Sequence, residues 1–186
     1  MRIIKKLFGN LHRYVVVLLL SVVIWAWIFS LVTDAAKAKK VLVYCGAPAM
    51  EERALGLALD AKKPEGIKFV KVSPFSDAIF SSGAPDDADI YILSESQVRL
   101  YSEELLPLNE KRSEGDIAIG GVVYGILIRS AETGTGSAAS FITYSLPGFE
   151  DENYYICFNK DSVHVNNGEG SDGAAFEVAE SLLSLY

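Results

Sequence analysis

The stretch that decides the fold is VLVYCGAPAMEERALGLALDA, residues 41–61. Its first five residues are a continuous apolar run with β-branched Val41 and Val43, which predicts a strand covered on both faces. Gly46 bounds the run. Pro48 fits the first turn of a helix, and Glu51 and Glu52 complement the positive end of the helix dipole. Met50, Ala54, Leu57 and Ala58 recur at helical spacing, and Leu55 and Leu59 widen that stripe. A covered strand followed at once by an amphipathic helix is an α/β opening.

Downstream, Pro64-Glu65-Gly66 ends the unit. IKFVKVS (67–73) reads as a less buried strand near an edge. FSDAIFSSG holds one short helix, GAPDD is a turn, and DIYILS (89–94) is a third strand. SESQVRLYSEELLPL predicts a helix capped by Ser94 or Ser96 and ending before Pro107. The alternation predicts a mostly parallel sheet with helices on both faces. The pattern then changes. GGVVYGILIRS (120–130) and SAASFITYS (137–145) flank AETGTG, which predicts a β-hairpin with a Gly-rich tip. That tip lacks the Lys-Ser/Thr ending of a phosphate-binding loop. NYYICFNK (153–160) is a further strand that stops abruptly at Asn159, Lys160, Asp161 and Ser162. NNGEGSDG lacks the spacing of a calcium loop with its closing Glu and reads as a turn. GAAFEVAESLLSLY predicts a last helix with Ala175, Val178, Ala179, Leu182 and Leu183 toward the core.

Upstream of the first strand, YVVVLLLSVVIWAWIFSLVT (14–33) carries no charge. Twenty residues at ~1.5 Å each span a hydrocarbon core of ~30 Å. Trp25 and Trp27 sit toward its far end, where amphipathic rings favour headgroups. The organisation expected is a basic cytoplasmic flank (1–13), a transmembrane helix or uncleaved signal anchor (14–33), a linker (34–40) and an extracytoplasmic α/β domain (41–186). The competing reading is a cleaved signal peptide, with Ala36-Lys37-Ala38 as the small-x-small site. The apolar run exceeds the ~7–15 residues of typical signal-peptide cores, which favours the anchor. Lipid attachment at Cys45 fits poorly, because Tyr44 precedes it.

All 24 Asp and Glu lie beyond residue 33, whereas Arg2, Lys5, Lys6 and Arg13 precede it. An acidic domain of this kind is a poor partner for nucleic acid, which needs phosphate neutralisation. Cys45 and Cys157 stand in apolar, strand-like contexts and read as buried free thiols, with a disulfide as the alternative. His12 and His164 are the only histidines. No metal spacing, nucleophile–base set or cofactor motif is apparent, so a non-catalytic protein is expected, with an enzyme that pairs His164 with an acid as a further alternative.

Several landmarks, taken in order, resemble a family. VLVYCGAPAMEERALGLAL, IKFVKVS, SSGAPDDADIYIL, ELLPLNE, YGILI and YYICFNKDSV are similar to successive elements of bacterial extracellular solute-binding proteins that serve ABC transporters. Ile126-Leu127 lacks the usual Pro, and Phe158 stands where Tyr is frequent. The resemblance covers 41–163 and implies one lobe of a two-lobed fold, since residues 166–186 would make only a loop and a helix. It also gives the polar end of the YYICF strand two readings, a retained exit toward a second lobe or a solvated strand end. In open α/β sheets, ligands bind beyond the carboxyl ends of the strands. The candidate ligand residues are therefore Gly46, Ala47 and Pro48, then Ser73, Pro74 and Phe75, then Ser94, Glu95 and Ser96. Turn and cap chemistry is the preferred account of the same residues. The expected partners are the membrane and a membrane protein such as a transporter, with direct capture of a small solute as the alternative.

Overall fold

The computed structural model describes residues 11–33, 36–47, 50–75, 88–142, 151–165 and 172–185. Contacts divide the chain into two units, Met1–Ala36 and Lys37–Tyr186. In the first, α1 (Leu11–Thr33) is a 23-residue helix. Its large apolar side chains from Tyr14 to Ile28 are exposed, Trp25 and Trp27 among them. Among the described residues no helix is long and apolar enough to cross a membrane. The described side chains of α1 end at Ile28.

The second unit is built on one six-stranded sheet. Its strands are β1 (Lys40–Cys45), β2 (Phe69–Pro74), β3 (Ile90–Ser94), β4 (Ile117–Ile119), β5 (Val122–Arg129) and β6 (Tyr154–Phe158), in the spatial order β2-β1-β3-β6-β5-β4. β2, β1 and β3 are parallel. β6 runs antiparallel between β3 and β5, and β4 antiparallel to β5. The sheet is therefore mixed, not mostly parallel. A parallel neighbour needs a crossover of a dozen or more residues, whereas a tight turn gives an antiparallel one. The edge position expected for the second strand is the one β2 occupies.

Helices cover both faces, as the alternation predicts. α2 (Glu52–Ala61) and α4 (Ala174–Leu183) pack on the face that carries Val41, Val43, Ile90, Ile92 and Ile156. α3 (Glu95–Tyr101) packs on the other, against Tyr91, Leu93, Tyr155 and Cys157. The α2 stripe centres on Leu55 and Leu59, both fully buried, and leaves Leu57 65% exposed. Leu57 is thus not part of the core that its spacing predicted. α4 buries Ala174, Ala175, Val178, Ala179 and Leu182.

The hairpin is elsewhere than predicted. Gly120 and Gly121, at φ of 59° and 87°, join β4 to β5 in two residues. Paired positive φ is the signature of a hairpin turn that matches strand twist. Residues 137–141 form turns and Ile142 makes only an isolated antiparallel pairing with Met50, so no strand forms, and the N–H groups of Phe141 and Ile142 both donate to the Ala138 carbonyl. The predicted short helix and turn over 76–87, residues 143–145 and most of NNGEGSDG lie outside the described residues.

Cys45 and Cys157 are both buried free thiols. They face opposite sides of the sheet, with β3 between their strands. Bridged cysteines need Cα atoms within ~7 Å and converging side chains, and this arrangement provides neither. The polar end of β6 is solvated only in part, with Asp161 exposed and Lys160 half-buried. Asn159 and Ser162 are buried. The Asn159 N–H donates to Asp89 O (3.1 Å) and its side-chain amide to Ala88 O (2.7 Å). The Ser162 hydroxyl donates to an Asp89 carboxylate oxygen at 2.6 Å. The polar residues clamp β6 to the start of β3.

Replacing Gly121 by Val should lower unfolding stability by about 1–2 kcal/mol, the cost of a left-handed conformation for an L-residue. Thermal or urea unfolding reads this, and an unchanged midpoint would contradict the turn assignment.

Candidate functional site

The carboxyl ends of β1, β2 and β3 meet at one edge of the sheet. β1 has β2 on one side and β3 on the other, so the order reverses between β1 and β3, where open α/β sheets hold ligands. The backbone is stitched closely here. The Gly46 N–H donates to Ile92 O and the Phe75 N–H to Cys45 O, both at 2.7 Å.

α3 starts immediately beyond β3. Ser94 caps it: its Oγ accepts the Gln97 N–H at 3.4 Å, and Gln97 Oε1 accepts the Ser94 N–H at 3.1 Å. This reciprocal box satisfies two helix-end donors and turns Gln97 back over the strand ends. A Cβ on residue 46 would stand 2.3 Å from Gln97 Oε1. The Gln97 carboxamide thus lies against Gly46 at the switch point, and Gly46 is the residue that leaves room for it.

Beside it lies an open hollow of about 470 Å³, lined by Glu95, Ser96, Arg99, Asp151, Glu152 and Asn153. The Glu152 carboxylate accepts the Ser96 N–H at 2.9 Å and the Ser96 hydroxyl at 3.1 Å. Arg99 pairs with Glu95 one turn away at 2.8 Å. The Asn153 carbonyl accepts the Glu95 N–H, and its side-chain oxygen accepts the Ala131 N–H. Arg129 is buried nearby in sequence. Burial pulls its guanidinium below the ordinary value, opposed by the charges of Asp151 and Tyr154.

Gly46, Ser94, Glu95 and Ser96 are therefore brought together. Ala47 is half-buried, with its N–H 3.4 Å from Cys45 Sγ. Ser73 and Pro74 pair in register with Tyr44 and Cys45, and Pro74 is exposed. Phe75 is buried, packed edge-on against Tyr91 and Tyr101, so it belongs to the core. Pro48 lies outside the described residues. Sequence reasoning missed Gln97 and Glu152. The Ser94-x-x-Gln97 spacing carried a signal for the first. Nothing local marks Glu152, which reaches Ser96 from 56 residues away.

The opposite edge carries a buried polar network. His164 is 1% exposed. Its Nδ1 lies 2.8 Å from an Asp172 carboxylate oxygen and its Nε2 3.0 Å from the Lys37 carbonyl. A carbonyl only accepts, and so does an ionised carboxylate, so the two contacts suit an imidazolium that donates from both ring nitrogens. Burial opposes that charge, but the bonds to Asp172 and Lys37 and the field of Asp89 hold the ring above its ordinary value. While doubly protonated, the ring presents no lone pair for proton abstraction. Among the described residues no group of His, Cys, Asp or Glu could hold a metal ion.

A cavity of about 530 Å³ opens on the face covered by α4, between Leu106–Arg112 and the floor formed by Ile126, Phe158 and Phe176. An ion pair between Arg112 and Glu180 of α4 spans the adjoining surface. Asp116 pins the wall, accepting the N–H groups of Arg112, Ser113 and Leu127 and the Ser113 hydroxyl. Burial works against the Asp116 charge, but these donors hold its carboxyl below the ordinary value.

Two outcomes follow from this geometry. Gly46→Ala should destabilise the domain by about 1–3 kcal/mol, the usual cost of overpacking. Adding Gln97→Ala should recover part of that loss, so the double mutant should be more stable than additivity allows in a denaturation cycle. The stability from Asp116 is fully present above its ordinary carboxyl value of 3.8 and lost as pH falls through its depressed one. Asp116→Asn should therefore flatten the acid limb of the stability profile below about pH 4.

No protein-family model matches the chain, and neither a curated protein nor a solved structure matches it.

Proposed function

We propose that the chain is a membrane-anchored, extracytoplasmic, non-catalytic domain that resembles one lobe of a solute-binding protein and docks to a membrane partner such as a transporter. The docking surface is the carboxyl edge of β1, β2 and β3. The observation that carries this reading is the Gln97 carboxamide set against Gly46 at the switch point. It takes up room where an open α/β sheet holds a small ligand, while Pro74 and Ser96 are exposed at the same edge. Such an edge meets another surface more readily than it encloses a solute, whose site normally buries ~70–90% of the ligand. The segments that carry the resemblance also fall together on one sheet: VLVYC on β1, IKFVKVS on β2, DIYIL on β3, YGILI on β5 and YYICF on β6. The double donation of His164 supports a non-catalytic role.

The anchor in this reading is α1. The uncharged run 14–33 lies within it and supports this reading from the sequence. The basic residues before it would remain in the cytoplasm and the acidic domain would emerge on the other side. Tethering then raises the effective concentration of the domain near membrane partners.

Photo-crosslinkers placed at Pro74 and at Ser96 in the full-length chain, in its native membrane, test the docking surface. The same membrane-protein adduct should form from both positions and not from Glu65, at the other end of β2. A lone monomer after mild detergent extraction, with no adduct from either position, would overturn the proposal.

Direct capture of a small solute is the second reading, favoured by the 530 Å³ cavity, a volume typical of ligand sites. Here a solute panel should raise the unfolding temperature of the wild type, and Leu108→Trp, which fills the cavity, should abolish the rise. No stabilisation by any solute would remove this reading.

A further inference from the structure

We infer that protonated His164 is a pH-dependent latch that fastens the turn Lys37–Lys39, which leads into β1, and the start of α4 to the interior of the domain. The ring joins three parts of the chain. Its Nε2–H holds the Lys37 carbonyl, its Nδ1–H holds Asp172, and the same Asp172 oxygen accepts the Ala174 N–H at the head of α4. The backbone of His164 is itself fixed, with its N–H on the Ser162 hydroxyl and its carbonyl accepting the Ala175 N–H.

Among the described residues, the groups that act on the ring come from three places. Asp172 precedes α4, Asp89 precedes β3, and Lys37 lies in the turn. Removing one proton leaves a lone pair on one ring nitrogen. The charged Asp172 keeps the remaining N–H, so the lone pair on Nε2 faces the Lys37 carbonyl oxygen. Two acceptors then meet at 3.0 Å, and the turn is released. The sign follows from the direction of the shift. A histidine raised above 6.5 contributes stability that is fully present below 6.5 and lost as pH rises through the raised value. Burial also raises Asp89 above 3.8, so its supporting charge disappears at the acid end. The latch is closed between those two limits.

The chain has two histidines, so the His12→Gln variant of the full-length protein leaves one ring to follow. Ring titration by NMR, paired with amide exchange at Lys68, tests the latch, because the Lys68 N–H donates to Lys39 O at the end of the turn. The ring should titrate above 6.5. Lys68 protection should fall with the same midpoint, beyond the intrinsic base catalysis of exchange. Asp172→Asn keeps an oxygen for Ala174 but removes the charge. It should lower both midpoints together by about one pH unit. A ring that titrates at or below 6.5, or Lys68 protection that does not change across the ring titration, overturns the inference.

Discussion

The buried carboxylate of Asp89 is the junction on which the sheet depends. One oxygen accepts the Leu42 N–H of β1 at 2.8 Å and the other the Ser162 hydroxyl beyond β6. Its backbone N–H donates to Leu42 O, and its carbonyl accepts the Asn159 N–H. A single residue thus joins β1, β3 and the exit of β6, the three central strands. Burial raises its carboxyl and opposes the charge, while the donors and the nearby His164 and Lys37 favour it. A charge in such a place is retained only with its partners intact, which makes the amino edge of the sheet a unit in which each group depends on the others.

The carboxyl edge is organised differently. There the polar side chains serve the backbone of one short helix and one strand exit, and the Gln97 carboxamide lies against Gly46 at the switch point. The two edges therefore divide the labour. The amino edge, with buried ions, fixes the central strands and receives the turn that follows α1. The carboxyl edge, with capped and solvated groups, is the surface on which the docking proposal rests.

Much of this was legible in the sequence where apolar runs are long. VLVYC, DIYIL and YYICF announce themselves as strands, and a helical stripe marks α2 and α4. β4 was not legible, because its three residues are too few to show a period. SAASFITYS misled because its Phe, Ile and Thr favour strands. Yet buried Ala138 and Ile142 stand four apart, the spacing of a turn of helix. Leu57 misled for a similar reason, since a stripe wide enough to include it exceeds what one face can bury. The site divided along the same line. Strand-end residues follow from topology, whereas Glu152 on Ser96 and Lys37 on His164 meet across 56 and 127 residues, which no local pattern encodes.

The central place of β6 has a consequence for how the chain reaches this fold. β3 ends at Ser94, yet one side of it is covered only when Tyr154–Phe158 arrives. Until then the growing chain carries a three-stranded parallel half whose open edge strand, Ile90–Ser94, has unpaired backbone groups and mostly apolar side chains. Pairing across so long a separation makes the loop-closure entropy large before any contact offsets it, which places the domain among slow folders. An edge left open in that interval is the surface most exposed to a wrong strand. The order of strands along the sheet therefore makes the last third of the chain the guardian of the first.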